Sequence, residues 1–438
     1  NWGYDPLNFN VPEGSYSTDP YDGNVRIKEL KSLVQSLHSE GIGVILDVVY
    51  NHTYFAKESA FNQTVPGYFY RQKPDGTFAD ASGCGNEIAT ERSMVRKFII
   101  DSLKYWAEEY HIDGFRFDLM GIYDIETMKG IRSELDKTEA GLILYGEGWA
   151  AAESPMSEEF RAVKKNIAQL PGISTFNDDF RDALRGNHNP KKTQGFISGL
   201  GFREEAVKFG IVGSIYHPQI VYDFVDTSKK PWAISPDQCI NYASCHDNYT
   251  LWDKLKLSNP KSSDDDLRKM VMLAGALILT SQGIPFIHSG MEFCRTKGGN
   301  GNSYKSPDSV NQIDWKRKTI YLNVFEYYKK LITLRKNHPA FRMGDPSKIA
   351  DFLSFCTDYK PGIIVYCLNG GDVHDTWEQI ILLFNGNKEN MTVPVPEAKY
   401  KIVARNFDID ETGIEELVTN KVDIPGISMT VMVKEDMS

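Results

Sequence analysis

The chain has few cysteines, and they are not spaced as structural zinc sites require. Six cysteines occur in 438 residues, and no two form a Cys-x-x-Cys pair. This argues against zinc and predicts free, mostly buried thiols. Long apolar runs are also lacking, since no stretch approaches the ~20 residues of a membrane span. No secretion signal is visible, but the chain opens at Asn1 in what reads as a loop, so localisation stays open.

A surplus of basic residues is lacking as well. Lys and Arg number 49 against 59 Asp and Glu, which gives a formal net charge of -10. This charge argues against nucleic acid or an anionic membrane as the main partner. Aromatic residues, by contrast, make up 12% of the chain, with 22 Tyr and 7 Trp. Their faces suit stacking on sugar rings, but aromatic side chains also fill cores, and composition leaves both interpretations open.

Short apolar runs alternate with helical patterns from residue 24 to about 339. Strands are predicted at 43–49, 113–118, 142–147, 238–244 and 284–289, with a weaker one at 173–176. Helices are predicted at 92–110, 124–137, 264–281 and 319–337. Strands and helices in alternation predict a parallel sheet covered by helices.

Two long insertions, at 53–91 and 181–236, interrupt this pattern. Both are rich in Gly, Pro, Asn and Tyr, which favours functional loops. After residue 343 the pattern changes to short apolar runs between Asn, Gly and Pro turns, and no helix is predicted. We therefore predict an α/β domain over 1–343 and an all-β domain, of sandwich type, over 344–438.

Three apolar runs end in a carboxylate, and the first is GFRFDLMG at 114–121. An unpaired buried charge is costly, so carboxylates rarely end buried strands. Side chains alternate along a strand, so Arg116 and Asp118 share one face and Phe115 and Phe117 the other. Arg116 is expected to lower the pKa of Asp118 and keep it ionised, as a nucleophile requires. The alternative is an Arg–Asp pair inside a core.

The second run, YGEGW at 145–149, places Glu147 between two glycines and two aromatic residues. Small neighbours would let a substrate approach closely, and aromatic walls would exclude water. Desolvation by Tyr145 and Trp149 is expected to raise the pKa of Glu147 and keep its proton, as a general acid requires. The alternative is a glutamate that caps a loop.

The third run, NYASCHDN at 241–248, places His246 and Asp247 at a strand end, and His52 follows the run DVVYNHT at 47–53. The His-Asp pair could be structural, and the histidines lack a zinc spacing. Imidazoles that hydrogen-bond substrate hydroxyls fit better.

Strand-end carboxylates are typical of one fold and one chemistry. The C-terminal strand ends of a (β/α)8 barrel form its active face. Two carboxylates across a cleft suit glycosidic cleavage, with retention at a separation of ~5–5.5 Å and inversion at ~6.5–9.5 Å. A third carboxylate could hold the hydroxyls of the sugar.

Taken in order, DVVYNHT, GFRFDLMG, YGEGW and ASCHDN resemble the four conserved regions of the α-amylase superfamily, glycoside hydrolase family 13. GFRFDLMG, GEGW and the opening NWGYDP at 1–6 are similar to the type I pullulanases, debranching enzymes that cleave α-1,6 bonds. The resemblance covers nearly the whole chain. It implies a (β/α)8 TIM barrel followed by a β-sandwich domain.

The resemblance also implies roles for individual residues. Asp118 would be the nucleophile, Glu147 the acid and then the base, and Asp247 the stabiliser of the distorted sugar. Tyr4 would stack on that sugar. The substrate-binding residues implied are Tyr4, Asp5, His52, Arg116, Leu119, Trp149, His246 and Tyr304.

The implied chemistry proceeds with retention and needs no organic cofactor. Calcium occurs in parts of the superfamily, but no ligand cluster for it is apparent in the sequence. The implied partners are branched α-glucans (pullulan, amylopectin, glycogen and limit dextrins), with neither nucleic acid nor membrane, and the protein is expected to be a monomer.

The chain departs from the family pattern at its start. A barrel of this family has two strands before NWGYDP, so we expect about six of the eight strands and a fragment of a longer protein. Other functions stay open: an α-1,4-acting amylase or neopullulanase, an isoamylase-type debranching enzyme, or a non-catalytic glucan-binding fragment.

Overall fold

The computed structural model describes residues 2–138 and 141–435, which fall into two compact units. The N-terminal unit is Trp2–Phe176, and the C-terminal unit is the described part of Asn177–Ser438. Within the described ranges, no helix has both the length and the apolar character needed to cross a bilayer.

Four parallel strands make up the sheet of the N-terminal unit. They are β1 (Ile45–Val48), β2 (Gly114–Phe117), β3 (Ile143–Gly146) and β4 (Ser174–Phe176), paired in that order. The register sets Asp47 beside Arg116, and Arg116 beside Tyr145. Paired residues of neighbouring strands point to the same face, so these three side chains share one side of the sheet.

The helices of this unit are α1 (Gly23–Ser39), α2 (Ala60–Thr64), α3 (Ser93–Tyr110) and α4 (Ile125–Thr138). The longest, α3, buries Val95, Ile99, Leu103 and Trp106 on one stripe, as their helical spacing predicts. It ends where His111 adopts a left-handed conformation, with φ of 54°. The predicted helices at 92–110 and 124–137 are thus confirmed to within one residue at each end.

The C-terminal unit contains two parallel strands, β5 (Cys239–Asn241) and β6 (Ile284–Pro285). Its helices are α5 (Asp178–Arg185), α6 (Glu204–Ile211), α7 (Leu251–Ser258), α8 (Asp264–Thr280), α9 (Asp308–Asn311), α10 (Lys316–Ile320), α11 (Leu322–Asn337) and α12 (Pro346–Phe352). Ser263 caps α8, and three aspartates in its first turn suit the positive end of the helix dipole. Gly275 of α8 leaves room for the ring of Tyr328 on α11, whose hydroxyl donates to the Val271 carbonyl at 2.9 Å.

Seven strands form an antiparallel sheet at the end of the chain. They are β7 (Leu353–Phe355), β8 (Ile363–Asn369), β9 (Gln379–Asn385), β10 (Met391–Arg405), β11 (Asp408–Ile409), β12 (Glu415–Ile424) and β13 (Ser428–Glu435). Their order is β11-β10-β13-β9-β8-β7, and β12 pairs with β10. Strand β10 is long and changes register between Pro394 and Ala398. Apolar side chains of β8, β9, β10, β12 and β13 form one buried core, so the prediction of an all-β region is confirmed.

Some predicted bounds are wrong, and the reasons lie in tertiary contacts. The strands predicted at 238–244 and 284–289 are shorter, at Cys239–Asn241 and Ile284–Pro285, and the Phe286 N–H just beyond β6 donates to the Asn241 carbonyl at 2.9 Å. The helix predicted at 319–337 is interrupted at Tyr321, whose ring packs against Trp252 at 5.4 Å between centroids. Periodicity cannot register such a contact.

The expectation that no helix follows residue 343 is also wrong. Helix α12 begins with Asp345, which accepts a hydrogen bond from Ser347 N–H, and with Pro346 in the first turn. The signal was therefore present in the sequence as Asp-Pro-Ser. The insertion at 181–236 likewise contains α6 rather than loop alone.

Six strands pair in parallel in the described residues, four in one unit and two in the other. This supports a parallel β/α architecture followed by an all-β region. A barrel without its first two strands, and a domain boundary at 343/344, stay predictions.

Candidate active site

One guanidinium joins three carboxylates at the ends of neighbouring strands. Arg116 Nη1 lies 2.8 Å from Asp47 Oδ1 and 2.9 Å from Asp118 Oδ1, and Nη2 lies 2.8 Å from Glu147 Oε1. Arg116 is on β2, and Asp118 and Glu147 directly follow β2 and β3. Only 5% of Arg116 is exposed. The sequence predicted the Arg116–Asp118 pair, but the shared contact with Glu147 comes from the pairing of β2 with β3.

Asp118 is held at both carboxylate oxygens. Arg116 binds Oδ1, and Asn51 Nδ2 donates to Oδ2 at 2.6 Å and to the Asp118 carbonyl at 2.8 Å. Burial nevertheless raises the pKa of Asp118 above its ordinary value, with Arg116 and Asn51 opposing the rise. The expected lowering of this pKa is therefore wrong, because the cost of removing the carboxylate from water exceeds the gain from its two partners.

Glu147 is buried, with 5% exposed, and it too is held at both oxygens. Arg116 binds Oε1, and the backbone N–H of Leu119 donates to Oε2 at 2.9 Å. Leu119 presents that N–H from a left-handed conformation, with φ of 41°, which costs ~1–3 kcal/mol in a non-glycine residue. The raised pKa that the motif YGEGW predicts for Glu147 stays a prediction.

The glycines around Glu147 serve packing rather than substrate approach. A Cβ on Gly146 would lie 2.6 Å from the Phe117 carbonyl oxygen, and one on Gly148 would lie 2.5 Å from Thr175 Oγ1. A Cβ on Gly121 would lie 2.5 Å from the carbonyl carbon of Trp149. The expectation that the two glycines leave space for substrate is thus wrong, since protein atoms occupy that space.

We expect Gly146→Ala to lower the free energy of unfolding by about 1–3 kcal/mol, because the added methyl meets backbone and the Met120 Cβ at 2.8 Å. Gly23→Ala is the matched control, since nothing lies within 4 Å of a Cβ there and the site is the first residue of α1. Urea unfolding of both variants measures the difference. Equal stability of the two variants would show that the added methyl at residue 146 meets no steric resistance.

Tyr4 lies over the bridging arginine. Its hydroxyl donates to Asp47 Oδ2, and the Arg116 guanidinium carbon is 5.6 Å from the centre of its ring. Burial, and next the charge of Asp47, raise the pKa of this phenol. Tyr4 therefore stays a neutral hydrogen-bond donor beside the carboxylates.

His52 is buried, and its two ring nitrogens differ. Nδ1 hydrogen-bonds to Asn51 Oδ1, which can only accept, so Nδ1 carries the proton. Nε2 has no hydrogen-bond partner among the described residues, and Asp5 Oδ1 lies 3.7 Å away. Burial lowers the pKa of His52, so a neutral ring is favoured.

Three further predicted site residues, His246, Asp247 and Tyr304, belong to the C-terminal unit. Asp247 Oδ2 lies 3.6 Å from His246 Nε2, in a loop beyond the end of β5 rather than at the strand end itself. Lys297, which is buried, donates to the His246 carbonyl at 2.8 Å. Tyr304 is partly exposed, and Lys305 Nζ lies 5.5 Å from the centre of its ring.

Sequence reasoning missed several residues that contact the predicted site residues in each unit. Asp47 and Asn51 stand in the motif DVVYNHT, but only the strand pairing shows that they contact Arg116 and Asp118. In the C-terminal unit it did not single out Lys297, which donates to the His246 carbonyl, or His288, which is buried beside Arg295. Burial and the charge of Arg295 lower the pKa of His288 to about 3, so its ring is neutral.

Several known proteins that the chain resembles are pullulanases. The chain is 43% identical over 421 residues to the pullulanase of Bacillus subtilis strain 168, across 95% of this chain and 57% of that protein. It thus spans little more than half the length of this curated relative. The sequence profile described as "Pullulanase, all-beta domain" matches residues 349–407.

Solved structures of pullulanases also resemble this chain. The type I pullulanase of Bacillus subtilis strain 168 complexed with maltose superposes with a TM-score of 0.94 at 41% identity, over all of this chain and 60% of that one. The pullulanase of Paenibacillus barengoltzii with maltohexaose and α-cyclodextrin gives 0.91 at 44% identity, over all of this chain and 65% of that one. The resemblance seen in the motifs is thereby confirmed, and the chain is a homologue of the type I pullulanases.

Proposed function

We propose that this chain carries the catalytic residues of a retaining glycoside hydrolase that cleaves α-1,6 branch linkages in pullulan, starch, glycogen and limit dextrins. One observation carries the proposal. In a homologue of pullulanases, Arg116 bridges Asp118 and Glu147 at the C-terminal ends of adjacent parallel strands.

In the first step Asp118 is the nucleophile. A carboxylate oxygen bonds to the anomeric carbon as the bond to the leaving oxygen breaks, and Glu147 gives that oxygen its proton. Arg116 and Asn51 hold Asp118 at both oxygens, which supports a fixed direction of attack. The product of this step is a glycosyl ester on Asp118.

In the second step Glu147 is the base. It takes a proton from water, the water oxygen bonds to the anomeric carbon, and the ester bond to Asp118 breaks. Two inversions in succession give net retention. Ester formation removes the charge of Asp118 and leaves Arg116 and the Leu119 N–H to stabilise Glu147 as the carboxylate that a base must be.

The shared guanidinium supports retention over inversion. Both carboxylates lie within 3 Å of one planar group, which favours the shorter of the two separations known for glycosidases, ~5–5.5 Å. An inverting enzyme needs room for water between its carboxylates.

The resemblance supplies the remaining roles. Asp247 would stabilise the distorted sugar, and Tyr4, His52, His246 and Trp149 would contact the substrate. Asp5, Leu119 and Tyr304 complete the proposed substrate-binding set. Relatives have been solved with maltose and with maltohexaose, which supports α-glucans as substrates of this chain. That the protein is a monomer and needs no organic cofactor stays a prediction. Whether it binds calcium stays open.

A comparison of two substrates tests the linkage. Pullulan should be converted to maltotriose, while unbranched amylose is left nearly intact over the same time. Product chromatography of both digests measures this. Rapid cleavage of amylose would contradict the proposal in favour of an α-1,4-acting enzyme. Debranching of glycogen without attack on pullulan would favour an isoamylase type, and binding without hydrolysis a non-catalytic glucan-binding fragment.

A further inference from the structure

Three potential metal ligands converge beside the carboxylate cluster. One ligand atom each from Asp5, His52 and Cys84 lies within 4.8 Å of the other two. Asp5 and Cys84 are exposed, while His52 is 1% exposed. The three residues come from separate segments, so no sequence spacing could reveal the group.

The imidazole is oriented as a metal ligand. Nδ1 of His52 donates to Asn51 Oδ1, so the lone pair is on Nε2, the atom that faces Asp5. Nε2 is buried and has no hydrogen-bond partner among the described residues. Metal-ligating histidines commonly show this arrangement, in which the far nitrogen is anchored and the near one is open.

Hydrogen bonds hold the three segments together. Thr53 N–H donates to Asn86 Oδ1 at 3.0 Å, and Asn86 Nδ2 donates back to the Thr53 carbonyl at 2.7 Å. The Tyr54 N–H donates to the Pro6 carbonyl at 2.9 Å. The neighbours of His52, Cys84 and Asp5 are therefore bound to one another, and the ligands are close together before any ion arrives.

We propose that Asp5, His52 and Cys84 bind a divalent transition-metal ion of the Zn²⁺ class. A nitrogen, a sulfur and an oxygen ligand suit such an ion, whereas Ca²⁺ and Mg²⁺ prefer oxygen alone. On binding, the Cys84 thiol releases its proton to solvent and the thiolate sulfur bonds to the ion. Three protein ligands leave a fourth position for water. The exposed side chains of Asp5 and Cys84 move inward to reach bonding distance.

The ion would also affect the catalytic centre. His52 is anchored by Asn51, which itself holds Asp118. A metal on Nε2 takes away the hydrogen-bonding atom that His52 would offer to sugar, so bound Zn²⁺ inhibits hydrolysis. This consequence, unlike the site itself, rests on the proposed function.

Titration of the purified chain with Co²⁺ tests the site directly, because a thiolate bound to Co²⁺ gives a charge-transfer absorption in the near ultraviolet. We expect this band to saturate at one ion per chain and to disappear when Zn²⁺ is added. Cys84→Ser should abolish the band and weaken Zn²⁺ binding by about 100-fold or more, since even an outer partner of a ligand is worth about 10–100-fold.

Cys356→Ser is the matched control. Cys356 and Cys367 lie close, with their sulfurs 3.9 Å apart, so this variant tests whether that pair of thiols binds the metal instead. It should keep the band. His52→Ala, with circular dichroism equal to that of the parent, should lower the affinity for Co²⁺ and so weaken the band at a given Co²⁺ concentration. A band that persists in Cys84→Ser, that is lost in Cys356→Ser, or that never forms in the parent would overturn the proposal.

Activity provides a separate readout. The rate of pullulan hydrolysis with Zn²⁺, divided by the rate without it, should be well below one in the parent and near one in Cys84→Ser. Cobalt binding at Cys84 in a protein that does not hydrolyse pullulan would contradict the proposed function and leave the metal site standing. Hydrolysis of pullulan without any cobalt band would contradict the metal site and leave the proposed function standing.

Discussion

Asp118→Asn is expected to lower the rate of pullulan hydrolysis by about 10,000-fold or more, as loss of a nucleophile does in other hydrolases. An amide cannot form the glycosyl ester, so the first step is lost. The asparagine has nearly the same shape, and its oxygen can still accept from Arg116 as Asp118 Oδ1 does at 2.9 Å. Affinity for maltotriose should therefore change by less than about tenfold.

Reducing-sugar release and calorimetric titration with maltotriose measure the two quantities separately. Asp101→Asn is the matched control, because Asp101 is an exposed residue of α3 that pairs with Lys97 on the same helix. Its rate should equal that of the parent. An unchanged rate in Asp118→Asn would remove Asp118 from the role of nucleophile, whatever the affinity.

Arg116→Leu is expected to lower the free energy of unfolding by about 3–5 kcal/mol at pH 7, the usual cost of removing one partner from a buried ion pair. The guanidinium is the shared partner of Asp47, Asp118 and Glu147. Without it, the buried carboxylates Asp118 and Glu147 lose the cation that they share. The variant should also lose hydrolysis, because neither carboxylate keeps its position.

The loss in the free energy of unfolding of Arg116→Leu, relative to the parent, should shrink as the pH falls. Burial already raises the pKa of Asp118 in the folded state. Protonated Asp118 therefore stabilises the fold below its unfolded pKa, and this stabilisation is lost as the pH rises through the folded pKa. Removing Arg116 raises the folded pKa further, so protonation relieves the variant at a higher pH than the parent. Urea unfolding at pH 7 and at pH 5 should therefore give a smaller difference at pH 5.

Lys129→Leu is the control for this effect. Lys129 pairs with Glu126 at 2.9 Å on the surface of α4, with both side chains exposed. Such pairs are worth about 0–1 kcal/mol. A deficit in Arg116→Leu no larger than in Lys129→Leu, or one that grows toward pH 5, would contradict the role of Arg116 as the cation that stabilises the buried carboxylates.

Much of the fold was predictable because its signals are local. The helical spacing of Val95, Ile99, Leu103 and Trp106 predicts α3 to within one residue. The predicted ends of helices and strands are wrong where contacts with another part of the chain decide them. The predicted helix is interrupted at Tyr321, whose ring packs on Trp252, and β6 ends at Pro285, the residue paired with Asn241 of β5.

The candidate site divides in the same way. Alternation of side chains at the end of β2 predicted that Arg116 and the residue directly after the strand, Asp118, lie on one face and contact each other. The carboxylates Asp118 and Glu147 were found because they end apolar runs, and both reach Arg116. The contributions of Asp47 and Asn51 required the pairing of β1 with β2, which no single segment encodes.

The sequence by itself determined which residues can carry the chemistry, because residue type, alternation and helical spacing act over a few positions. Only the tertiary structure decided the direction of the Asp118 pKa shift and the partners of these residues. Burial reversed the expected pKa shift of Asp118, and strand pairing placed Glu147 on the same guanidinium. Three distant segments brought Asp5, His52 and Cys84 together. The physical reason is that the energy of a charge, or of a bound ion, depends on everything packed around it, and most of that surrounding lies far away in the sequence.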